Sequence, residues 1–334
     1  SDLSLQLYSW YIKNGVARNE REAGDVKKYF DAHVPAQADY LVGFYEQLYL
    51  YQSYCWVAFI RQDYLLFYRY TQKWVDLFDR YEGMLEAETA HYIKAMHNVM
   101  GAHFDLQNEV KLNEAILRFE KFTQRKVVQQ NENYRMLCFV YLYIAKINKH
   151  FLEGTFTEGL RLVPHIEEKL DEYDLYLDRH RILVFYYKIA CLYFGSGNNE
   201  KAVEYLNKII HWKVDLRTDL QCYARLLHLI AHYELGNFDL LEHLIKSVYR
   251  FMGKMQNLSA VEEEIFAFLR RSFKLTPDKL KPAFEKLLQR IRKYEGNRFE
   301  TRAFLYLDII SWLESKLEDV NVQDVIRKKF KKRQ

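Results

Sequence analysis

The stretch from Tyr186 to Ile210, YYKIACLYFGSGNNEKAVEYLNKII, constrains the fold more than any other part of the chain. Two runs with apolar residues at helical spacing flank a Gly-Ser-Gly-Asn-Asn turn, and a small residue, Ala202, comes early in the second run. A helical hairpin of this kind cannot bury its apolar face alone, so neighbouring hairpins must stack on it. Similar turns recur. Gly154-Thr155-Phe156, Gly197-Asn198-Asn199 and Gly236-Asn237-Phe238 lie 43 and 39 residues apart, and Gln62-Asp63-Tyr64 lies further upstream. A period near 40 with two helices per unit points to an α-solenoid.

The backbone breakers agree. The chain has 12 Gly and 4 Pro in 334 residues, where average usage gives roughly 40. That leaves long helices joined by short turns, and no sustained Val/Ile/Thr alternation marks a strand. The pattern predicts helices at about 3–13, 19–33, 37–60, 63–80, 86–103, 108–129, 132–152, 156–173, 178–195, 199–211, 216–235, 238–255, 260–273, 277–294, 298–317 and 321–331. Asn198 and Asn199 suit a helix start, Gly236-Asn237 a left-handed turn followed by a cap, and Thr276-Pro277-Asp278 another start. Gly296-Asn297 reads as a stop. Pro164 falls inside an apparent helix and should kink or shorten it.

Several function classes drop out. Hydrophobic residues at 49% exclude a disordered chain. No run of about 18 apolar residues suggests a membrane span, and the opening SDLSLQLYSWYIK lacks the basic-then-apolar pattern of a secretory leader. Cys55, Cys138, Cys191 and Cys222 are far apart in apolar helical contexts, so free thiols in a reducing, cytoplasmic setting are expected. The net charge of +4 resides in residues 327–333, RKKFKKR; without those six cations, 43 basic residues face 45 acidic ones. The body is therefore no basic nucleic-acid surface.

Residues 181–211 resemble a tetratricopeptide repeat (TPR), through Tyr186, Ile189-Ala190, Tyr193, Gly197, Ala202, Leu206 and Ile209 in the family's order and spacing. Weaker copies run through Tyr143, Lys146-Ile147, His150, Gly154, Gly159, Val163 and Ile166, and through Arg225, His228-Leu229, His232, Gly236, Leu241, Ile245 and Val248. The period exceeds the family's 34 residues. The resemblance implies an all-α, right-handed superhelix of antiparallel helix pairs (a TPR-like α-solenoid) spanning 1–334 as a single array. Its best repeats are 140–168, 181–211 and 222–250. Divergent N-terminal helical pairs occupy 1–130, and C-terminal pairs with a basic tail occupy 260–334.

In such arrays ligands usually lie along a concave face made by the first helices of the repeats. The resemblance places Tyr141, Ile144, Asn148, Phe151, Val184, Tyr187, Cys191, Phe194, Tyr223, Leu226, Ile230 and Tyr233 on that lane, with Tyr49, Gln52, Trp56 and Phe59 as an upstream continuation. The lane is apolar and aromatic. Two readings of it stand: an open groove for a peptide or protein partner, or a seam that the array buries in itself. Tyr187 and Cys191 stand where a carboxylate-gripping array would have Asn and Lys, so no such clamp is expected. The leading functional expectation is a non-catalytic protein-interaction scaffold, with dimerisation as one way to cover an open array edge. A nucleic-acid-binding or regulatory module using Arg327, Lys328, Lys329, Lys331, Lys332 and Arg333 is the alternative.

Chemistry finds little support in the sequence. His228 and His232 share a helix face, but Leu229 stands where a zinc protease has its glutamate. Core histidines are the simpler reading, and no metal or cofactor is expected. His91, His97 and His103 recur every six residues, which turns successive side chains away from one another on a helix. Glu262-Glu263-Glu264 reads as a solvated helix start.

Overall fold

The computed structural model describes residues 2–34, 43–212, 218–255, 258–300 and 308–333. Among them one turn design recurs, at Gln62-Asp63, Gln107-Asn108, Gly154-Thr155, Gly197-Asn198 and Gly236-Asn237. The first residue of each pair is left-handed, with φ of 55°, 55°, 68°, 90° and 71° in turn. The second donates its N–H to the carbonyl five residues back: Asp63 to Ala58, Asn108 to His103, Thr155 to His150, Asn198 to Tyr193 and Asn237 to His232, at 2.9–3.1 Å. This is the Schellman closure, which satisfies carbonyls that a helix end leaves unpaired. In three of the turns the same residue then caps the next helix. Asp63, Asn108 and Asn198 accept from the backbone N–H of Leu66, Lys111 and Lys201.

Glycine takes the left-handed conformation without a Cβ penalty; Gln62 and Gln107 do not. Gln62 is held there by its side chain, whose Nε2 donates to the carbonyl of Ala17 at 2.8 Å in a buried setting. The five turns lie 45, 47, 43 and 39 residues apart. The spacing seen in the middle of the sequence therefore continues toward the N-terminus, where Gln62 and Gln107 stand in place of glycine.

The chain is all-α, with no strand among the described residues, and consecutive helices pack on their chain neighbours. It divides into two compact units, Ser1–Ala145 and Lys146–Gln334. The first contains Asp2–Asn14, Glu20–His33, Phe44–Ile60, Tyr64–Arg80, Met84–Ala87, Thr89–Asp105, Glu109–Thr123, Lys126–Gln129 and the start of Glu132–Glu153. Its N-terminal core is built from Leu7, Val26, Phe30, Val57 and Ile60. The second unit takes in the end of that helix and then Phe156–Gly159, Val163–Glu172, Arg179–Gly195, Asn199–Ile210, Thr218–Glu234, Phe238–Lys254, Ala260–Ser272, Pro277–Arg292, Ile309–Glu318 and Val322–Arg333. No described helix is long and apolar enough to cross a membrane.

Pro164 acts as its chemistry requires. The predicted 156–173 helix is three pieces: Phe156–Gly159, a 3₁₀ turn at Leu160–Leu162, and Val163–Glu172 with Pro164 in its first turn. Within the predicted 298–317 stretch a helix runs Ile309–Glu318, and Asp308 caps it by accepting from Ser311 N at 2.8 Å. Residues 301–307, and parts of the expected 37–60 and 216–235 helices, lie outside the described residues.

The last two helices lie along the row of turns in the second unit. The Glu234 carboxylate accepts from Trp312 Nε1 at 2.6 Å and from Lys316 Nζ at 2.7 Å. A Cβ on Gly197 would stand 2.6 Å from Asn321 Oδ1, and one on Gly154 2.4 Å from the backbone N of Arg327. Gln323 Oε1 accepts from both Thr157 N and Thr157 Oγ1 at 3.0 Å. The helix Val322–Arg333 thus reaches the 154–157 turn more than 160 residues away in sequence.

Candidate functional site

None of the lane residues from Tyr141 to Tyr233 is exposed; of the upstream continuation, Tyr49, Gln52 and Trp56 are half-buried and Phe59 is exposed. In the first unit Tyr141 is buried, stacked on His97 with centroids 3.9 Å apart, and Ile144 is half-buried. In the second unit Asn148 is buried and accepts from Lys188 Nζ at 2.6 Å. Phe151 and Val184 are half-buried, and Phe151 lies edge-on to Phe156. Tyr187, Cys191, Phe194, Tyr223, Leu226, Ile230 and Tyr233 are all buried. Tyr233 meets Phe238, Phe268, Phe284 and Trp312 edge-on at 5.8–6.5 Å. The buried lane side chains belong to the core, and Trp312 covers part of Tyr233.

The basic tail is not a solvated run. Val322, Val325 and Ile326 are buried, and three of its six cations are engaged. Arg327 contacts the Gly154 carbonyl and Glu158, Lys328 pairs with Glu318, and Lys329 pairs with Glu314. Lys331, Lys332 and Arg333 are exposed at the helix end, where cations are favoured by the helix dipole.

The titratable groups fall into separate environments. His91 faces Gln52 and Glu88, His97 faces Tyr141, and His103 is buried beside Tyr68, so the three do not converge. All four cysteines are free and buried, and desolvation pushes the Cys138 and Cys191 thiols up to about 12. His228 and His232 are buried together, with Nε2 atoms 3.2 Å apart. Desolvation and the neighbouring His232, His211 and Arg225 bring His228 down to about 4.

Glu262 overturns the solvated reading of the acidic run. Its side chain folds back in a capping box with Ser259, accepting from Ser259 N at 2.6 Å, and only 1% of it is exposed. Burial, aided by Glu300 and Glu263, raises its pKa to about 7. The folded chain therefore holds a proton between about pH 4.5 and 7 that the unfolded chain releases. This group's contribution is complete below the unfolded value and is lost as pH rises through 7. Glu262→Gln keeps the acceptor and mimics the protonated acid. It is expected to stabilise the chain at pH 8 by on the order of 1–3 kcal/mol and to change little at pH 5. Urea midpoints at the two pH values check this.

One aromatic surface escaped the sequence reading. On Asp2–Asn14, Leu5, Tyr8 and Ile12 are 62%, 45% and 63% exposed, at i, i+3 and i+7. Beside them Tyr8 packs on Trp56 at 5.2 Å, and Tyr11 bridges Trp56 and Phe59 at 5.6 and 5.4 Å. Phe59 is itself exposed. Trp56 and Phe59 were expected on the lane; here they flank an open stripe instead. The 3–4 spacing in the first helix was the available signal.

No known family model matches the chain, and no curated protein matches it in sequence.

Proposed function

We propose that this chain is a TPR-like right-handed superhelix of helix pairs that serves as a non-catalytic interaction scaffold in the cytoplasm. Its partner is an amphipathic helix of another protein, docked on the Leu5–Tyr8–Ile12 stripe. The aromatic lane is the core of the repeats rather than the docking face. The observation that supports this reading is the exposed stripe itself. Three large apolar side chains on one helical face, flanked by Tyr11, Trp56 and Phe59, form the kind of surface a partner helix covers. The alternative reading, nucleic-acid binding through the tail, is left with Lys331, Lys332 and Arg333 after Arg327, Lys328 and Lys329 are paired.

The stripe is open to a direct test. The triple variant Leu5→Glu, Tyr8→Glu, Ile12→Glu alters exposed side chains and is expected to keep the helical circular-dichroism signal. Partner affinity should fall at least roughly a hundredfold, as expected when the buried centre of a contact becomes charged. Light scattering separates the other occupant: a wild-type dimer dissociated by the variant would assign the stripe to a second copy of the chain. Capture that is equal for both proteins would remove the stripe from the account.

A further inference from the structure

The His228–His232 pair on Thr218–Glu234 is a cluster of metal-ligating atoms outside the proposed docking face. His228 Nε2 lies 3.2 Å from His232 Nε2 and 3.1 Å from Asn207 Oδ1, on the helix Asn199–Ile210. The far nitrogen of His232, Nδ1, lies 3.0 Å from the side-chain amide of Asn237. The rings meet edge to face, at 77° with centroids 4.4 Å apart.

The protons do not fit this arrangement. A neutral imidazole offers at Nε2 either one N–H or one lone pair, never both. If His228 Nε2 carries the hydrogen, that single hydrogen faces two acceptors, Asn207 Oδ1 and a bare His232 Nε2. If it is bare and accepts from His232, its lone pair confronts Asn207 Oδ1. Turning the Asn207 amide around does not help, because two donors then compete for one lone pair. With the two rings oriented as they stand, every placement of the hydrogens and of the Asn207 amide leaves one of the two contacts at His228 Nε2 unmade. Buried polar groups normally avoid this.

A single divalent cation removes the conflict. Two imidazole nitrogens and an amide oxygen are all electron-pair donors, and His232 Nε2 and Asn207 Oδ1 both lie beside His228 Nε2. Nitrogens held 2.0–2.1 Å from a tetrahedral zinc ion stand about 3.3 Å apart, close to the 3.2 Å seen. With Nε2 on the ion, His232 carries its hydrogen on Nδ1, and Asn237 needs only its oxygen turned inward to accept it. That is the outer contact a metal-bound histidine usually makes. His228 and His232 retain 8% and 7% exposure.

We propose that His228 Nε2, His232 Nε2 and Asn207 Oδ1 form a binding site for Zn²⁺ or a similar borderline divalent ion. The ion ties Asn199–Ile210 to Thr218–Glu234 across one seam of the repeat, with His211 at the rim.

The test uses the untagged full chain and the metal alone. Titration with Co²⁺ is expected to give the visible bands of a low-coordinate nitrogen–oxygen site, saturating at one equivalent and displaced by Zn²⁺. Zn²⁺ should raise the melting temperature, and EDTA should reverse the rise. His228→Gln and His232→Gln should each weaken Zn²⁺ binding by at least roughly a hundredfold. Asn207→Asp, which replaces an amide by a carboxylate at the same place, should strengthen it at least about tenfold. Histidine ¹⁵N spectra of the wild-type chain need no variant: Zn²⁺ should shift the Nε2 signals of His228 and His232 and leave His91 and His103 unmoved. No saturable uptake, or unchanged affinity in His228→Gln and Asn207→Asp, overturns the site. So do ¹⁵N shifts at other histidines only.

Discussion

Replacing Tyr187 and Tyr223 together by alanine is expected to unfold the second unit. Both rings are interior, 3% and 5% exposed, on the helices Arg179–Gly195 and Thr218–Glu234. Truncating a buried aromatic residue to alanine costs about 3–5 kcal/mol, from lost burial and the cavity left behind. Two such losses approach or exceed the whole stability of a typical domain, about 5–15 kcal/mol. Loss of the cooperative melt and of much of the far-ultraviolet helical signal is the expected result. A chain that stays folded and loses only partner binding would restore the open-groove reading of the lane.

The second large effect is expected at Gly154. Its φ of 68° is strained for any residue with a Cβ, at about 1 kcal/mol. The greater obstacle is steric. A Cβ would lie 2.4 Å from Arg327 N, 2.6 Å from Gln323 O and 2.8 Å from Arg327 Cα, all backbone atoms of the last helix that cannot rotate away. Gly154→Ala must therefore displace Val322–Arg333. Displacement uncovers Val322, Val325 and Ile326 and breaks the Gln323–Thr157 hydrogen bonds. A total cost of about 3 kcal/mol or more follows. Hydrogen exchange should show lost amide protection across 322–333, with proteolytic cleavage among its lysines. Gly296→Ala, where an added Cβ meets nothing within 4 Å and φ is ordinary, is the near-neutral control. Retained protection of the last helix in Gly154→Ala would contradict its docking on the turn.

Local chemistry made much of the helical pattern readable. Gly154, Gly197 and Gly236 mark left-handed helix ends, and Asn198 caps the next helix as its type and position suggest. Pro164 breaks its helix for the reason any proline does. What stayed hidden was carried by contacts distant in sequence. The break between the helices predicted at 86–103 and 108–129 was read, but Gln107 shows no left-handed preference, so its turn was not recognised as one of the recurring series. Gln62 was noticed as a turn residue, but its anchor is the carbonyl of Ala17, 45 positions away. The cations of the tail were read as one basic run because their partners Glu158, Glu314 and Glu318 are not adjacent in sequence. Glu262 looked solvated because a capping box and a buried carboxylate share one sequence signature. The aromatic lane was ambiguous for a physical reason: aromatic residues at helical spacing serve a groove and a core equally well.

The central claim is that the lane is core and that the exposed stripe on the first helix is the docking face. The most direct measurement takes a partner that the wild-type chain retains from native lysate, purifies it, and compares its affinity for the wild-type chain and for Leu5→Glu, Tyr8→Glu, Ile12→Glu. Circular dichroism and melting are recorded on both. The account predicts matching folds and loss of binding in the variant. Undiminished binding by a folded variant, or no retained partner at all, would contradict it.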